Sequence, residues 1–275
     1  MNPPFLRSGS LPSKSLPAFF AFGAPLCAFA AVMLVAFAFA FAGLVGTSVI
    51  IGLIAFAAPL GPALEGRKLL IRGFDLLHQA SAANARGDTA TAKAASLRVL
   101  ETVYRADFRA AAIFQLACAS EGTEGSEDAA HLFLLARATL PSGLKTAAVR
   151  RFGALVGARA AINWAAIDRL REARDSLLEA QADLAAYHGG LFSNATPYGH
   201  GRLDVVLNEL DGRCRPAPLV SLASAFVALR GGDRQAAMEI VKRDGHGIAA
   251  ALAPKDRALL ELVSREASAQ LVDAS

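Results

Sequence analysis

At 275 residues the chain has room for one large domain or two small ones, and its 54% hydrophobic and 19% charged side chains, with a mean hydropathy of +0.38, make it more apolar than soluble proteins usually are. The formal charge of +4 is no nucleic-acid signature. Arg7 and Lys14 hold two of the 28 basic residues and none of the 24 acidic residues precedes Glu65, so the remainder carries 26 against 24; with no stripe of interleaved aromatic and basic residues, no nucleic-acid partner is expected. Cys27, Cys118 and Cys214 are odd in number and far apart, which excludes a disulfide framework and a zinc site and leaves isolated inert thiols.

Residues 1–17, with Pro3, Pro4, Pro12 and Pro17, read as a flexible tail. No charge occurs between Lys14 and Glu65. One straight helix over residues 18–64 would reach about 70 Å, more than twice the hydrocarbon thickness of about 30 Å. A transmembrane hairpin fits better: 18–42 crosses, Gly43, Gly46, Thr47 and Ser48 turn, and 43–64 returns, with Pro59 and Pro62 ending the second helix near the interface. A single longer, partly interfacial span is the alternative. A cleaved signal peptide is disfavoured, because the apolar segment is too long and a second follows it directly. Arg7 and Lys14 precede the run and Arg67, Lys68 and Arg72 follow it, which puts both ends on the cytoplasmic side. Arg67, Lys68 and Arg72 are also the residues expected at the membrane surface, where each can contact an anionic lipid headgroup for about 1 kcal/mol or serve only to set topology.

Beyond residue 65 the pattern turns helical and repetitive. Ala80-x-x-Ala83-x-x-x-Gly87-Asp88-x-x-x-Ala92 recurs at identical spacing as Ala225-x-x-Ala228-x-x-x-Gly232-Asp233-x-x-x-Ala237. Small residues let two helices cross closely, Gly ends the first helix in a left-handed cap, and Asp caps the second. An intermediate unit pairs a helix over 108–120, with Ala110 and Ala117 on a small face, with a helix whose Ala129, Phe133 and Ala136 form one stripe, closed by Pro141. Two further helices are expected at 144–162 and 164–187, the second unusually long and begun by Trp164, a packing anchor. The segment 168–175 alternates in sign and reads as a solvated face. Residues 188–202 read as a loop, 203–212 as a short helix, and Asp256–Val272 as a terminal helix capping the array.

These units resemble the tetratricopeptide repeat, a helix–turn–helix of about 34 residues. The layout, a membrane hairpin followed by repeats, is similar to that of the HemY family of bacterial inner-membrane proteins, although that family usually has a longer segment between its spans, so its function is not carried over. The expected fold is therefore all-α: a transmembrane hairpin, then a repeat domain over 65–275 stacked as an α-solenoid.

No nucleotide loop, nucleophile elbow or metalloprotease helix is present, so no catalytic, cofactor or metal residues are expected. His188, Tyr198 and His200 share one segment that reads as a polar surface loop, and the sequon at Asn194-Ala195-Thr196 matters only in a secretory lumen. The expected function is a membrane-anchored scaffold for protein–protein interaction or assembly of a membrane complex, in the bacterial inner membrane with the C-terminal domain cytoplasmic. An accessory structural subunit of such a complex is the alternative, and a membrane enzyme the third reading. From the first helix pair, Gln79, Asn84 and Arg86 are the polar residues expected to meet a partner.

Overall fold

A computed structural model describes residues 32–35, 37, 60–103, 105–121, 126–140, 147–189, 216–251 and 254–269; the side chains of 60–67, 188–189, 251 and 254–255 fall outside the description. Every regular element among the described residues is an α-helix. They are α1 (Leu60–Ala85), α2 (Thr89–Thr102), α3 (Ala106–Ser120), α4 (Glu127–Thr139), α5 (Ala147–Ala166), α6 (Leu170–Gly189), α7 (Pro216–Arg230), α8 (Arg234–Ala251) and α9 (Pro254–Ser268).

The chain divides into two units. The first is Met1–Asp75 with Glu101–Tyr104, and the second is Leu76–Leu100 with Arg105–Ser275. In the first unit, residues 32–35 and 37 are helical and present Met33, Leu34, Val35 and Phe37 outward, Leu34 73% and Phe37 67% exposed. Most of the expected hairpin, 18–64, lies outside the described residues. Among those described, no helix is long and apolar enough to cross a membrane. Pro62, expected to end a second membrane helix, instead lies in the first described turn of α1. A proline is tolerated there because the first N–H groups of a helix have no partner inside it.

The second unit is built from helix pairs closed by one recurring turn. At the end of α1 the Asp88 N–H donates to the Ala83 carbonyl (2.9 Å) and the Gly87 N–H to the Asn84 carbonyl (3.1 Å). At the end of α7, Asp233 donates to Ala228 (2.9 Å) and Gly232 to Leu229 (3.0 Å). This pair of hydrogen bonds satisfies the last carbonyls of a helix and requires a left-handed residue, supplied by Gly87 (φ +78°) and Gly232 (φ +84°). Asp88 and Asp233 then cap the second helices, accepting from the Thr91 N–H (3.1 Å) and the Ala236 N–H (2.9 Å). Both halves of the expected Gly-Asp punctuation are thus present.

The same turn occurs a third time, where sequence reading runs a helix straight through. The Arg169 N–H donates to the Trp164 carbonyl (2.9 Å) and the Asp168 N–H to the Ala165 carbonyl (3.2 Å), with Asp168 at φ +60°. The helix expected at 164–187 therefore begins only at Leu170, and Trp164 ends α5 rather than opening α6. An aspartate can take the left-handed conformation that glycine takes elsewhere, so the break carries no glycine to announce it.

Pairs α1/α2, α3/α4, α5/α6 and α7/α8 share a further feature. In each second helix an alanine donates its N–H to the carbonyl of the residue preceding the helix: Ala92 to Asp88, Ala130 to Ser126, Ala173 to Arg169 and Ala237 to Asp233, at 3.0–3.1 Å. All four alanines are 0% exposed. A methyl is what these crossings admit. In the first pair, Ala83 and Ala92 form one buried cluster with Ala119 of α3. Ala228, at the position of Ala83, is only half-buried.

Successive pairs stack. Packing runs α3 on α4, α4 on α5, α5 on α6 and α7, α6 on α7, α7 on α8 and α9, and α8 on α9. The first helices α3, α5 and α7 are buried around most of their circumference, α5 continuously from Phe152 to Ala165, as befits helices that are apolar all round. In α3 the burial therefore extends well past Ala110 and Ala117. In α4, Ala129, Phe133 and Ala136 are fully buried as one stripe, and Phe133 and Phe152 pack on Phe114 at centroid distances of 5.6 and 5.9 Å. Pro141 lies outside the described residues. Two glycines set the α5–α6 distance: a Cβ at Gly157 would sit 3.0 Å from both the Ala180 Cβ and the Ser176 carbonyl, and one at Gly153 would overlap the Asp183 carboxylate.

Candidate functional site

The residues singled out from sequence fall in different environments. Gln79 and Arg86 are exposed on α1 and in its closing turn. Asn84 is half-buried, and its amide donates to both the carbonyl (2.9 Å) and the side-chain oxygen (2.6 Å) of Gln115, tying α1 to α3. Both donors of its amide are thus used within the fold. Lys68 and Arg72 are exposed beside Leu69 and Ile71, which are 40% and 52% exposed; the Arg67 side chain lies outside the description. His188 belongs to the end of α6 rather than to a loop, while Tyr198, His200 and the short helix at 203–212 lie outside the described residues.

Two charged clusters that no motif announced tie the repeats together. The first centres on Arg159 of α5, which is 8% exposed. Its guanidinium grips both carboxylate oxygens of Asp256, in the first turn of α9, at 2.5 and 2.7 Å, and lies 3.8 Å from Glu121 at the end of α3. Asn163, one turn on, donates to Glu121 (2.7 Å) and to the Arg159 carbonyl (3.0 Å), and accepts from the Ser126 N–H (3.0 Å) at the cap of α4. Burial alone would push the Arg159 guanidinium down; Asp256 first, then Glu121, more than reverse this and hold it well above its ordinary value. Its guanidinium is charged, as any arginine's is, and among the described residues its Nε is a buried donor without a hydrogen-bond acceptor.

The second cluster centres on Asp183 of α6, 4% exposed, which receives Arg150 of α5 (2.6 Å) and Arg137 of α4 (2.8 Å) in the space left by Gly153; Arg137 also pairs with Glu179. A third group surrounds Trp164, 2% exposed. Arg169 stacks over its ring at 5.2 Å and His131 meets it edge-on at 5.0 Å. Arg169 itself pairs with Glu172, which places the expected i,i+3 contact on the solvated face of α6. The hydrogen bond and charge of that pair hold the Glu172 carboxyl below its ordinary range.

An open cleft of about 790 Å³ lies among α5, α6, α7 and α8, lined by Arg151, Tyr187, Pro216, Ser221, Asp244 and Ile248. Asp244 is paired with Arg243 at 2.9 Å, and chiefly this hydrogen bond, with a further one from Ser221, holds its carboxyl low. Every charged group of these clusters lies beside an opposite charge, Arg159 between Asp256 and Glu121 and Asp183 between Arg137 and Arg150. Among the described residues no three metal-ligating side chains converge. No local pattern marks Arg159, Asp183 or Asp256, since a buried ion pair joins residues up to 97 apart and leaves no periodicity. Gly153-x-x-x-Gly157 was a readable signal: small residues one turn apart mark a close helix crossing. No protein-family model, no curated protein and no solved structure matches this chain.

Proposed function

We propose that the protein is a membrane-anchored helical-repeat scaffold, resembling the tetratricopeptide class, whose stacked helix pairs hold a protein partner at the membrane. The observation that carries this reading is the threefold recurrence of one hairpin closure, with a fully buried alanine at the same position of all four second helices. Units built on one template stack into an extended surface, and such surfaces hold peptides and helices without turning them over. The anchor is supported by the charge-free run before Glu65 and by the outward-facing Met33, Leu34, Val35 and Phe37, which need an apolar surrounding. The exposed Lys68 and Arg72 beside Leu69 and Ile71 suit an anionic interface just after it.

The test is purification of the full chain from its native membrane in mild detergent. A free protein that captures partners reversibly is the expected result; a permanent stoichiometric complex would make it a structural subunit instead. Extraction of the full chain by alkaline carbonate would remove the anchor from the proposal, and reporters at the two ends that fall in opposite compartments would replace the hairpin with a single span.

A further inference from the structure

The cleft among α5, α6, α7 and α8 lies at the end of two helix pairs opposite the turns that close them. Its lining comes from the N-terminal halves of α5 and α7 and the C-terminal halves of α6 and α8, whereas the closures at Asp168 and Gly232 join the other ends of the same helices. Held together at one end, the four helices leave about 790 Å³ at the other, a volume in the range of pockets that take ligands.

The lining says what fits. Its charged members are Arg151, Arg243 and Asp244, two positive against one negative. Both Asp244 oxygens accept from Arg243, at 2.9 and 3.0 Å, so the acid is answered within α8 and the lining as a whole favours an anion. Tyr187 adds a phenolic hydroxyl from α6. The start of α7 faces the same space, but Pro216 and Pro218 have no N–H to give. Where a helix start would cradle a phosphate with successive N–H groups, this one presents two pyrrolidine rings with Ala217 between them. That wall suits an apolar side chain better than a phosphoryl group. Gly247, on the α8 wall, lies inside a helix, where alanine is the better helix former. Its φ is not left-handed and a Cβ there would meet nothing within 4 Å, so neither the backbone nor the packing of α8 requires a glycine. What the missing side chain does is keep the wall low enough for another backbone to pass.

We infer that this cleft docks an extended segment of a protein partner in which a side-chain carboxylate stands beside an apolar side chain. The carboxylate meets Arg151 and Tyr187, the apolar side chain lies on Pro216, Ala217 and Pro218, and the partner's backbone passes over Gly247. An open cleft suits a chain that runs in and out again, whereas a free apolar acid would need an enclosed cavity to bury its tail. The inference rests on the scaffold reading for the partner's being a protein, and it names the docking chemistry.

The experiment uses the full chain in mild detergent and a labelled synthetic peptide of alternating Glu and Leu, read by fluorescence anisotropy beside counterparts with Gln for Glu or Ser for Leu. The Glu–Leu peptide is expected to bind saturably, at least about tenfold more tightly than either counterpart, and to weaken as salt is raised. Arg151→Gln is expected to lose the preference for Glu over Gln while keeping that for Leu over Ser. Gly247→Leu, which meets open space, is expected to lose the peptide with no fall in melting temperature. Equal binding of the Glu and Gln peptides, or unchanged binding in Gly247→Leu, overturns the inference. Displacement of the peptide by equimolar inorganic phosphate would make the cleft a plain anion site and overturn it as well. Wild-type dimers that the peptide dissolves would assign the cleft to a second copy, with the same result. Should Arg151→Gln not fold, Gly247→Leu and the peptide counterparts decide. Absence of saturable binding while partners are still captured in detergent overturns the cleft and spares the scaffold reading; the reverse outcome sinks the scaffold reading and leaves the cleft a peptide site.

Discussion

Glycines of this chain differ in what they do, and substitution by alanine separates them. At Gly153 a Cβ would collide with the Asp183 carboxylate, which Arg137 and Arg150 hold from two other helices. Gly153→Ala is expected to cost about 1–3 kcal/mol, read as a lower melting temperature. Gly247, inside α8 with nothing near its Cβ position and no left-handed φ, is the control: there alanine is expected to stabilise by about 0.5–1 kcal/mol through its better helix propensity. The cap residue Asp88 makes a pH prediction. The Thr91 side-chain and backbone hydrogen bonds, aided by Arg86, hold its carboxyl below its ordinary value. A carboxyl depressed in the folded state contributes stability that is fully present above its unfolded value and is lost as pH falls through the folded value. A carboxyl NMR titration of Asp88 is expected to show the depressed midpoint, and Asp88→Asn, which still caps but does not titrate, to abolish the local acid response of α2. A midpoint at or above the ordinary aspartate value would contradict the cap.

The helix pair carries its own predictions. Three turns share one hydrogen-bond pattern but differ in the residue that bends: Gly87, Gly232 and Asp168. A left-handed conformation costs a non-glycine residue on the order of 1 kcal/mol, so Asp168→Gly is expected to stabilise by about that amount. The exposed pair it gives up, Asp168 with Arg230 at 3.9 Å, contributes little against this. Enlarging a fully buried crossing alanine, as in Ala83→Leu or Ala173→Leu, is expected to cost about 1–3 kcal/mol in thermal unfolding. Ala228→Leu is expected to be milder, because the structure leaves that position half-buried although the sequence pattern equates it with Ala83. Equal losses at Ala83 and Ala228 would show that the sequence pattern, not the burial, governs these sites. The two Gly-Asp turns were legible because their residue types have few other uses at that spacing. The turn at Asp168 was not, because aspartate takes the left-handed conformation far less routinely than glycine and no glycine marks the break.

Across the second unit, burial is concentrated in the first helices α3, α5 and α7, with α4, α6 and α8 packed against them and α9 at the end. Hydrogen exchange is therefore expected to be slowest in α3, α5 and α7 and faster in α8, whose exposed residues outnumber its buried ones. Slowest exchange in α8 would contradict this order of packing. The clusters at Arg159 and Asp183 act at the same scale: the first joins α5 to the end of α3 and to α9, and the second ties together the consecutive helices α4, α5 and α6. Asp183 is buried while its partners Arg137 and Arg150 are about a third exposed, so Asp183→Ala is expected to be destabilising by about 1.5–3 kcal/mol, more than the loss of a more exposed pair such as Arg243 with Asp244.

Local chemistry decided what the sequence alone could determine: helices as the regular elements described beyond residue 65, two of the three left-handed turns among the described residues with their aspartate caps, the buried stripe of α4 and the last described helix. These follow from residue types whose backbone preferences and apolar spacing act within a turn or two of helix. Tertiary structure alone decided that Asn84 serves Gln115, that Asp168 bends where a glycine would be expected, that Gly153 makes room for Asp183, and that Arg159 meets Asp256 across 97 residues. Each of these is a contact between distant segments, whose energy depends on burial and on the charge or methyl opposite, neither of which is written in the spacing of one helix.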